Sequence, residues 1–444
     1  MEINSLFSRK NLLVFYDYFV VFIIIFYAGK ATVFTQAIES WIHPVGLLLP
    51  VLTFTLLIFI KPINFNVRFW LMIIGFTLYF IASSIKFGEL HPRFYLINIM
   101  YITMAYMTIA AFQYRFFILY EDILYYLCII AIVFWLGLNI SPTVFIEFLR
   151  IFEFSTQQPG SIDYNTIVFT VSDYDVIPQY ILNFGGMNIY RNSGFAWEPG
   201  AFSVYIAIAI LFYFVRNKFK NLGSIRLLVF IFALITTFST TGYSLFILLV
   251  IFFLYNQKIY KIAWMVPVFM ILLIYVYTLP FMAQKISENT EFNTKELIYY
   301  STKYNIKYQP QRFESLQIDF LDFLNHPIIG YGGHLEARWT NQIGANIATV
   351  SGIGKIMAQF GIVGLLFFSI SIWKSSKRIL SLFNVKGLIF PIAFIFLISV
   401  SYSVISVLLM CLWLLYLPDF YKTEIARRYL IADFLKKSDI SFSR

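Results

Sequence analysis

Apolar runs recur along most of the chain, each about 17 to 25 residues long and separated from the next by a short polar break. A run of this length matches a helix that crosses the hydrocarbon core of a bilayer. Only 13% of the residues are charged, whereas about a quarter are charged in a typical soluble domain. The sequence therefore predicts an all-α integral membrane protein.

We predict twelve transmembrane helices from these runs. The predicted spans cover residues 11–28, 45–61, 69–85, 94–112, 122–140, 199–215, 227–240, 243–257, 260–280, 347–373, 387–402 and 404–420. An even number of spans places both termini on the same side of the membrane. Both cysteines, Cys128 and Cys411, fall within apolar runs, which argues against a disulfide framework or a cysteine-ligated metal.

The basic residues indicate how these helices are oriented. Most of them fall in short segments on the side that holds both termini, among them Arg9, Lys61, Arg115, Arg216 and Lys374. This is the distribution that the positive-inside rule describes for cytoplasmic loops. We therefore expect both termini in the cytoplasm. The formal net charge of +10 reflects this orientation, and we expect no nucleic-acid partner.

Two long polar segments lie on the opposite side and hold most of the acidic residues. Loops of such length are usually functional, so we expect any chemistry to face outward. The chain then divides into six parts: spans one to five in 1–140, a first large loop in 141–198, spans six to nine in 199–280, a second large loop in 281–346, spans ten to twelve in 347–420 and a basic cytoplasmic tail in 421–444.

The stretch RNSGFAWEPG, residues 191–200, stands where the first loop meets the sixth span. Pro199 suits the first position of a helix, and Glu198 precedes it at the positive end of the helix dipole. One interpretation is a capped helix with a snorkelling Arg191. The other is functional, because a guanidinium and a carboxylate beside an outward-facing cavity suit anion binding and proton abstraction.

The second loop contains a comparable stretch. Apolar residues at helical spacing predict an amphipathic helix from Phe313 to Asn325, with Arg312 at its start and His326-Pro327 at its end. The sequence Gly330-Tyr331-Gly332-Gly333 follows as a flexible turn, whose glycines permit positive φ or close approach of a ligand. A plain loop is the alternative interpretation of this turn.

These stretches together resemble a known superfamily. HPIIGYG followed by FGIVGLLFF resembles the second periplasmic loop of the O-antigen polymerase and ligase superfamily. RNSGFAWEPGAFS and FSTTGYSLFILLV resemble the matching segments of Wzy-type polymerases. The resemblance covers residues 187–373 in these motifs, and the flanking spans match in number and polarity alone.

The resemblance implies a GT-C-like polytopic glycosyltransferase of the bacterial inner membrane. Such a polymerase transfers a growing glycan from undecaprenyl diphosphate onto another lipid-linked repeat unit at the periplasmic face. It also implies a set of partners, namely the lipid-linked glycans, the bilayer, a chain-length regulator and a flippase, and it implies no cofactor.

Residue roles follow from the same resemblance. Glu198, Arg191 and Arg312 are the predicted catalytic residues, since arginine can hold a diphosphate with several donors and glutamate can orient or deprotonate the acceptor. The predicted substrate-binding residues are Arg338, His334, Tyr331, Trp197 and Tyr190. The histidines show no ligand spacing and Asp173-Tyr174-Asp175 stands alone, so we predict no metal site.

Other functions stay open at this point. An O-antigen ligase is expected to carry a histidine shortly before the glycine-rich start of the tenth span, where this chain has Val350. This departure favours a polymerase over a ligase. A polytopic transporter would place polar residues inside its spans and have short outer loops, and a scaffolding protein would dock through its loops.

Overall fold

A computed structural model describes residues 9–26, 28, 43–149, 153–156, 164–167, 181–184, 187–196, 198–258, 299, 303, 310, 312–345 and 347–420. The helices of its first half are α1 Arg9–Phe26, α2 His43–Ile60, α3 Val67–Phe87, α4 Pro92–Phe112, α5 Arg115–Ile140 and α6 Pro142–Leu149. Then follow α7 Pro199–Arg216, α8 Ile225–Thr236 and α9 Thr240–Asn256. The remaining helices are α10 Arg312–Asn325, α11 Trp339–Gln342, α12 Gly352–Phe383, α13 Ile389–Ser401 and α14 Val407–Trp413.

Five of these helices, α3, α4, α5, α7 and α12, are long and apolar enough to cross a membrane. They correspond to the predicted spans 69–85, 94–112, 122–140, 199–215 and 347–373. Shorter apolar helices occupy further predicted spans, so the chain is a mostly helical membrane protein, and the count of twelve spans stays a prediction. The span at 260–280 and the tail at 421–444 lie outside the described residues.

Two predicted spans differ most from the structure in their bounds. The segment 404–420 is helical only over Val407–Trp413 and continues as turns. Helix α12 extends to Phe383 and bends at Gly361, whose φ of 64° and ψ of −159° are not helical. Such a backbone conformation suits glycine, which has no Cβ to clash. The bend therefore follows from a glycine inside an apolar run that hydropathy alone treats as continuous.

The first long loop contains strands that the all-α prediction did not include. Strands β1 Glu153–Thr156 and β2 Tyr164–Ile167 pair antiparallel, and β3 Ile181–Phe184 pairs antiparallel with β4 Met187–Tyr190. Tyr190 at the end of β4 is held by α5, because Asn139 Oδ1 accepts from its backbone N–H at 2.9 Å. This hydrogen bond fixes the end of β4 on α5, immediately before the RNSGFAWEPG stretch.

Helix α7 lies at the centre of the bundle. Its side chains from Pro199 to Val215 are all buried, and it packs against α5, α8, α9 and α12. Phe202 and Phe212 are among the largest fully buried side chains. We call the two ends of the bundle the Glu198 end and the Arg216 end, after the residues that flank α7.

Helix caps explain where several elements begin and end. The Asn66 side chain accepts from Phe69 N at 3.1 Å at the start of α3, and Gly88 ends that helix in the left-handed conformation. Ser239 and Ser351 cap α9 and α12 in the same way as Asn66. Pro199 occupies the first turn of α7, where its missing N–H has no helical partner to lose.

Buried ion pairs join the helices at the Arg216 end. The Arg216 guanidinium donates to both oxygens of fully buried Glu121, Nε to Oε1 at 2.8 Å and Nη2 to Oε2 at 2.7 Å. Asp17 of α1, also buried, pairs with Lys61 at 2.8 Å and with Arg115 at 2.5 Å. These pairs join the middle of α1, the end of α2, the first turns of α5 and the end of α7.

Replacing Glu121 by alanine should destabilise the bundle strongly. The substitution removes the bidentate partner of Arg216 in a region of low dielectric constant, a cost of about 3 to 5 kcal/mol in unfolding free energy. Thermal unfolding of the purified protein in detergent measures this loss. Asp419→Asn is the control, because Asp419 is exposed in its pair with Arg68 and should matter little. Equal shifts in Tm for both variants would contradict a special role of the buried pair.

Candidate functional site

Glu198 stands at the start of α7 and meets side chains from two other parts of the chain. Its backbone is extended, with φ of −140° and ψ of 154°, immediately before Pro199. Arg312 Nη2 donates to Glu198 Oε1 at 2.8 Å. The Tyr402 hydroxyl donates to the same oxygen at 2.5 Å. The structure therefore brings together Glu198 and Arg312, which the sequence analysis predicted as catalytic, and adds Tyr402.

Further contacts fix the Arg312 guanidinium. Nη2 also donates to the Tyr402 hydroxyl at 2.9 Å, and Nη1 donates to Thr241 Oγ1 at 2.8 Å. The guanidinium carbon lies 4.7 Å from the centre of the Tyr402 ring, a cation–π contact. Arg312 and Glu198 keep 30% and 35% of their side-chain surface exposed, so a ligand can reach both groups. We call Glu198, Arg312, Tyr402 and Thr241 the Arg312 cluster.

Close packing at Gly200 makes this cluster possible. A Cβ at Gly200 would lie 2.3 Å from the Tyr402 hydroxyl, 3.2 Å from Arg312 Nη2 and 3.3 Å from Glu198 Oε1. A Cβ here would displace the Tyr402 hydroxyl and would crowd Arg312 Nη2 and Glu198 Oε1. The glycine of the EPG stretch is therefore needed for the approach of the polar groups as well as for the start of α7.

Besides the start of α10 at Arg312, three helix N-termini meet around the cluster. Glu198 precedes α7, Thr241 lies in the first turn of α9, and Gly352 begins α12. Gly352 packs so tightly that a Cβ would come within 1.8 Å of the Tyr402 carbonyl oxygen. The partial positive charge of each N-terminus favours an anion at this point. The electrostatics of the Glu198 end thus favour a negatively charged group.

Arg191 lies beside the same helix connection as Arg312. It is buried, and its Nε donates to the Thr237 carbonyl at 3.1 Å. The next residue, Asn192, binds Thr236 through its backbone and its side chain, each at 2.9 Å. Arg191 therefore contacts Thr237 at the end of α8, and Arg312 contacts Thr241 in the first turn of α9. The first and second loops meet there.

The charge of Arg312 is secured by its partners. Partial burial lowers its pKa, but Tyr402 and Glu198 outweigh this effect and raise the pKa above its ordinary value. A permanently charged, oriented guanidinium with access to solvent is a suitable binding group for phosphate oxygens. The neighbouring carboxylate can accept a proton or a hydrogen bond from a hydroxyl group.

Arg338 belongs to a second, more enclosed cluster. Its Nε donates to Asp322 Oδ2 at 2.9 Å, its Nη2 lies 3.7 Å from Asp319 Oδ1, and its Nη1 donates to the Ile347 carbonyl at 3.2 Å. The guanidinium carbon lies 5.5 Å from the centre of the Tyr331 ring. Arg338 and Tyr331, both predicted to bind substrate, thus contribute to the packing of the second loop, and their predicted binding role stays a prediction.

The glycine turn after α10 is docked on α12. Tyr331 N and Gly332 N donate to the carbonyl oxygens of Ala358 and Gln359 at 2.9 and 2.8 Å. Gly330 has φ of 65°, and a Cβ there would come within 2.3 Å of the Gln359 backbone. The glycines therefore permit close approach of α12 rather than free movement. The positive φ that the sequence analysis expected is present at Gly330 and Gly332, and the close approach is to α12 rather than to a ligand.

His334 lies against His91, although the spacing of the histidines in the sequence had not indicated a ligand pair. Its ring lies 4.4 Å from that of His91, centre to centre, and 4.5 Å from the ring of Phe87. The ligand atoms of Glu89, His91 and His334 all lie within 4.8 Å of one another. Two imidazoles and a carboxylate are a suitable donor set for Zn²⁺. Among the described residues, these three form a group that could hold a metal ion.

The remaining predicted residues have simpler positions. Tyr190 is half-buried, and its carbonyl accepts from Trp135 Nε1 at 2.7 Å. Trp197 and the Asp173-Tyr174-Asp175 stretch lie outside the described residues. Sequence reasoning missed Tyr402, which ends an apolar span without any polar motif. Thr241 could have been predicted, since it lies in the FSTTGYS turn on which the resemblance rests.

The arrangement can bind an anion beside a proton acceptor at the surface of a helical bundle. Arg312 and three helix N-termini provide the positive charge, and Glu198 provides the acceptor. Comparison of the chain with protein-family models, with curated proteins and with solved structures finds no match.

Asp319 should make the stability of the second loop depend on pH. Burial raises its pKa to about 7, against the opposing effects of the Thr349 hydroxyl, Arg338 and Lys355. In the unfolded chain the pKa is about 3.9, so folding takes up a proton. The stabilisation is complete below that value and is lost as the pH rises through about 7.

The Tm of the wild type should therefore fall between about pH 5 and about pH 8. Asp319→Asn should reduce this fall, because the amide stays neutral over the whole range. Thermal unfolding in detergent at both pH values measures the difference. Glu336→Gln, at an exposed position of the same loop, should retain the wild-type pH dependence. An identical fall in the Asp319 variant would refute the assignment.

Proposed function

We propose that the protein is a membrane glycosyltransferase that joins oligosaccharide repeat units carried on undecaprenyl diphosphate. The product is O-antigen or a similar surface polysaccharide. On this proposal the Glu198 end faces the periplasm, the Arg216 end and both termini lie in the cytoplasm, and the membrane is the bacterial inner membrane. A chain-length regulator and a flippase are the expected partners.

A single observation carries the proposal. Glu198 from the end of the first loop and Arg312 from the second loop share an ion pair at the junction of three helix N-termini, and both keep exposed surface. Such a junction is positively charged and lies at the end of the membrane helices, where the diphosphate of a lipid-linked sugar would be found. The exposed surface leaves both groups accessible to such a ligand.

The proposed reaction exchanges one bond to a sugar carbon for another. The bond from C1 of the donor sugar to the diphosphate oxygen breaks, and a bond from C1 to the acceptor hydroxyl oxygen forms. Arg312, together with Arg191, stabilises the negative charge on the departing lipid diphosphate. Glu198 takes the proton of the acceptor hydroxyl and passes it to solvent.

The position of the polar groups favours an enzyme over a transporter. The Arg312 cluster lies at helix starts and in loop segments, at residues 198, 241, 312 and 402. Transporters instead bind substrates near the middle of the membrane, between broken helices. An O-antigen ligase would use the same donor chemistry, so the two activities are separated by their products.

Loss of Arg312 should abolish chain extension. Arg312→Ala removes a charged, bidentate donor and should lower turnover of a synthetic diphospholipid-linked repeat unit by roughly a hundredfold or more. Arg312→Lys retains the charge and should keep part of the activity. Lys303→Gln, an exposed cation elsewhere in the second loop, should extend chains normally.

The product pattern in cells distinguishes the alternatives. Cells that carry the Arg312→Ala variant should display single repeat units on the lipid core and no ladder. A ligase defect would instead leave the core bare while lipid-linked polymer accumulates. Normal ladders from inserted Arg312→Ala protein would rule out the proposed role.

Tyr402 should act as a positioning residue. Tyr402→Phe retains the ring under Arg312 but removes the hydroxyl that bridges Arg312 and Glu198. A hydrogen bond to a charged group is worth about 1.5 to 3 kcal/mol, so turnover should fall roughly tenfold or more. The fall should appear in kcat with an altered pH profile, in protein that is still folded at the assay temperature. A lower Tm with normal kcat would instead indicate a purely structural residue.

A further inference from the structure

A groove opens between α3 and α12 toward the Arg216 end. Near the Glu198 end these helices are in contact, since the Tyr79 hydroxyl donates to the Gln359 carbonyl at 2.7 Å and the rings of Tyr79 and Phe360 lie 5.4 Å apart. Farther along, they diverge around a cavity of 710 Å³. Tyr416, anchored by its backbone N–H on Ser375 at 3.2 Å, lines its inner side.

The long walls of the groove are apolar and face outward from the bundle. Leu71 and Met72 of α3 line one side, and Phe367 and Trp373 of α12 line the other. Leu71 and Trp373 are 63% and 47% exposed. In a membrane-spanning bundle, such exposed apolar surface meets acyl chains. The groove is therefore open to the bilayer from the side.

Four cations surround the polar end of the groove, namely Arg68, Lys374, Lys377 and Arg378. Among the described residues, exposed Asp419 is the one acidic side chain in an ion pair with any of them, at 3.2 Å from Arg68. Lys374 and Lys377 instead lie over aromatic rings, at 5.4 Å from Tyr416 and 5.6 Å from Trp373.

Arg378 strengthens this excess of positive charge. Its guanidinium lies over the Phe420 ring at 4.8 Å, and its Nε is buried without a hydrogen-bond partner among the described residues. Buried donors in proteins are normally satisfied. An anion at the end of the groove would balance the excess positive charge of these side chains.

We propose that this groove binds an anionic phospholipid, with its phosphate among Lys374, Lys377 and Arg378 and an acyl chain along Leu71 and Phe367. Basic pockets between membrane helices at the cytoplasmic face are suited to lipid headgroups. A free phosphate would match the cations but would leave the apolar walls uncovered. The proposal does not depend on the glycosyltransferase assignment, because the groove lies at the opposite end from the Arg312 cluster.

Trp373 provides a direct readout of the bound lipid. The full-length protein is reconstituted into nanodiscs that contain brominated phosphatidylglycerol or, in a parallel sample, brominated phosphatidylcholine. Bromine quenches tryptophan fluorescence at contact, and Trp373→Phe protein defines the signal of this residue among the 8 tryptophans. Wild-type Trp373 should be quenched preferentially by the anionic lipid.

Neutralising the cations should remove this preference. Lys374→Gln with Lys377→Gln, both at exposed positions, should weaken it by roughly fivefold for each cation. Lys218→Gln with Lys220→Gln is the matched control, since these exposed lysines lie outside the groove, and it should behave as wild type.

Three results would overturn the proposal. The first is equal quenching of wild-type Trp373 by both lipids. The second is an unchanged preference in the Lys374/Lys377 variant with a wild-type Tm. The third is displacement of the lipid signal by soluble inorganic diphosphate, which would identify the ligand as a free phosphate compound.

Discussion

The Arg312 guanidinium connects parts of the chain that no continuous motif joins. It donates to Glu198 before α7, to Thr241 in α9 and to Tyr402 after α13. A charged group at the edge of a membrane bundle is costly to leave without partners, so these contacts determine how the second loop can dock. The candidate site is therefore a consequence of satisfying one arginine where two loops and three helix N-termini converge.

Each end of α7 carries an arginine–glutamate ion pair, and the two pairs differ in their exposure to solvent. At the Arg216 end the arginine and Glu121 form a bidentate pair, and Glu121 is fully buried. At the Glu198 end the ion pair keeps about a third of its surface exposed. The first arrangement suits a rigid anchor, because the guanidinium engages both carboxylate oxygens in an enclosed environment. The second leaves donors and acceptors within reach of a ligand, which is the property that a reactive site requires.

Hydropathy was sufficient to predict the main spans, because a run of apolar residues has few other solutions in a bilayer. The sequence analysis predicted Glu198 and Arg312 as catalytic residues but did not predict their ion pair. Contact between residues 114 positions apart depends on how the helices pack. Tyr402 could not be found, because an aromatic residue at the end of a span is the ordinary pattern of an interfacial belt. The docked glycine turn was missed for a similar reason, since a sequence does not reveal which backbone a glycine will approach.

Arg312 and Arg338 looked equivalent in the sequence, and their neighbours separate them. Arg338 keeps only 9% of its side chain exposed and faces two buried carboxyl groups, Asp319 and Asp322. One positive charge can balance one negative charge, and the second carboxylate would be costly in this enclosed environment. The raised pKa of Asp319, about 7, is the expected result, because a proton there leaves the cluster neutral. Each arginine is thus balanced by one carboxylate. Arg338 and its partners are enclosed within the loop, whereas Arg312 keeps 30% of its side chain exposed and accessible to an anionic ligand.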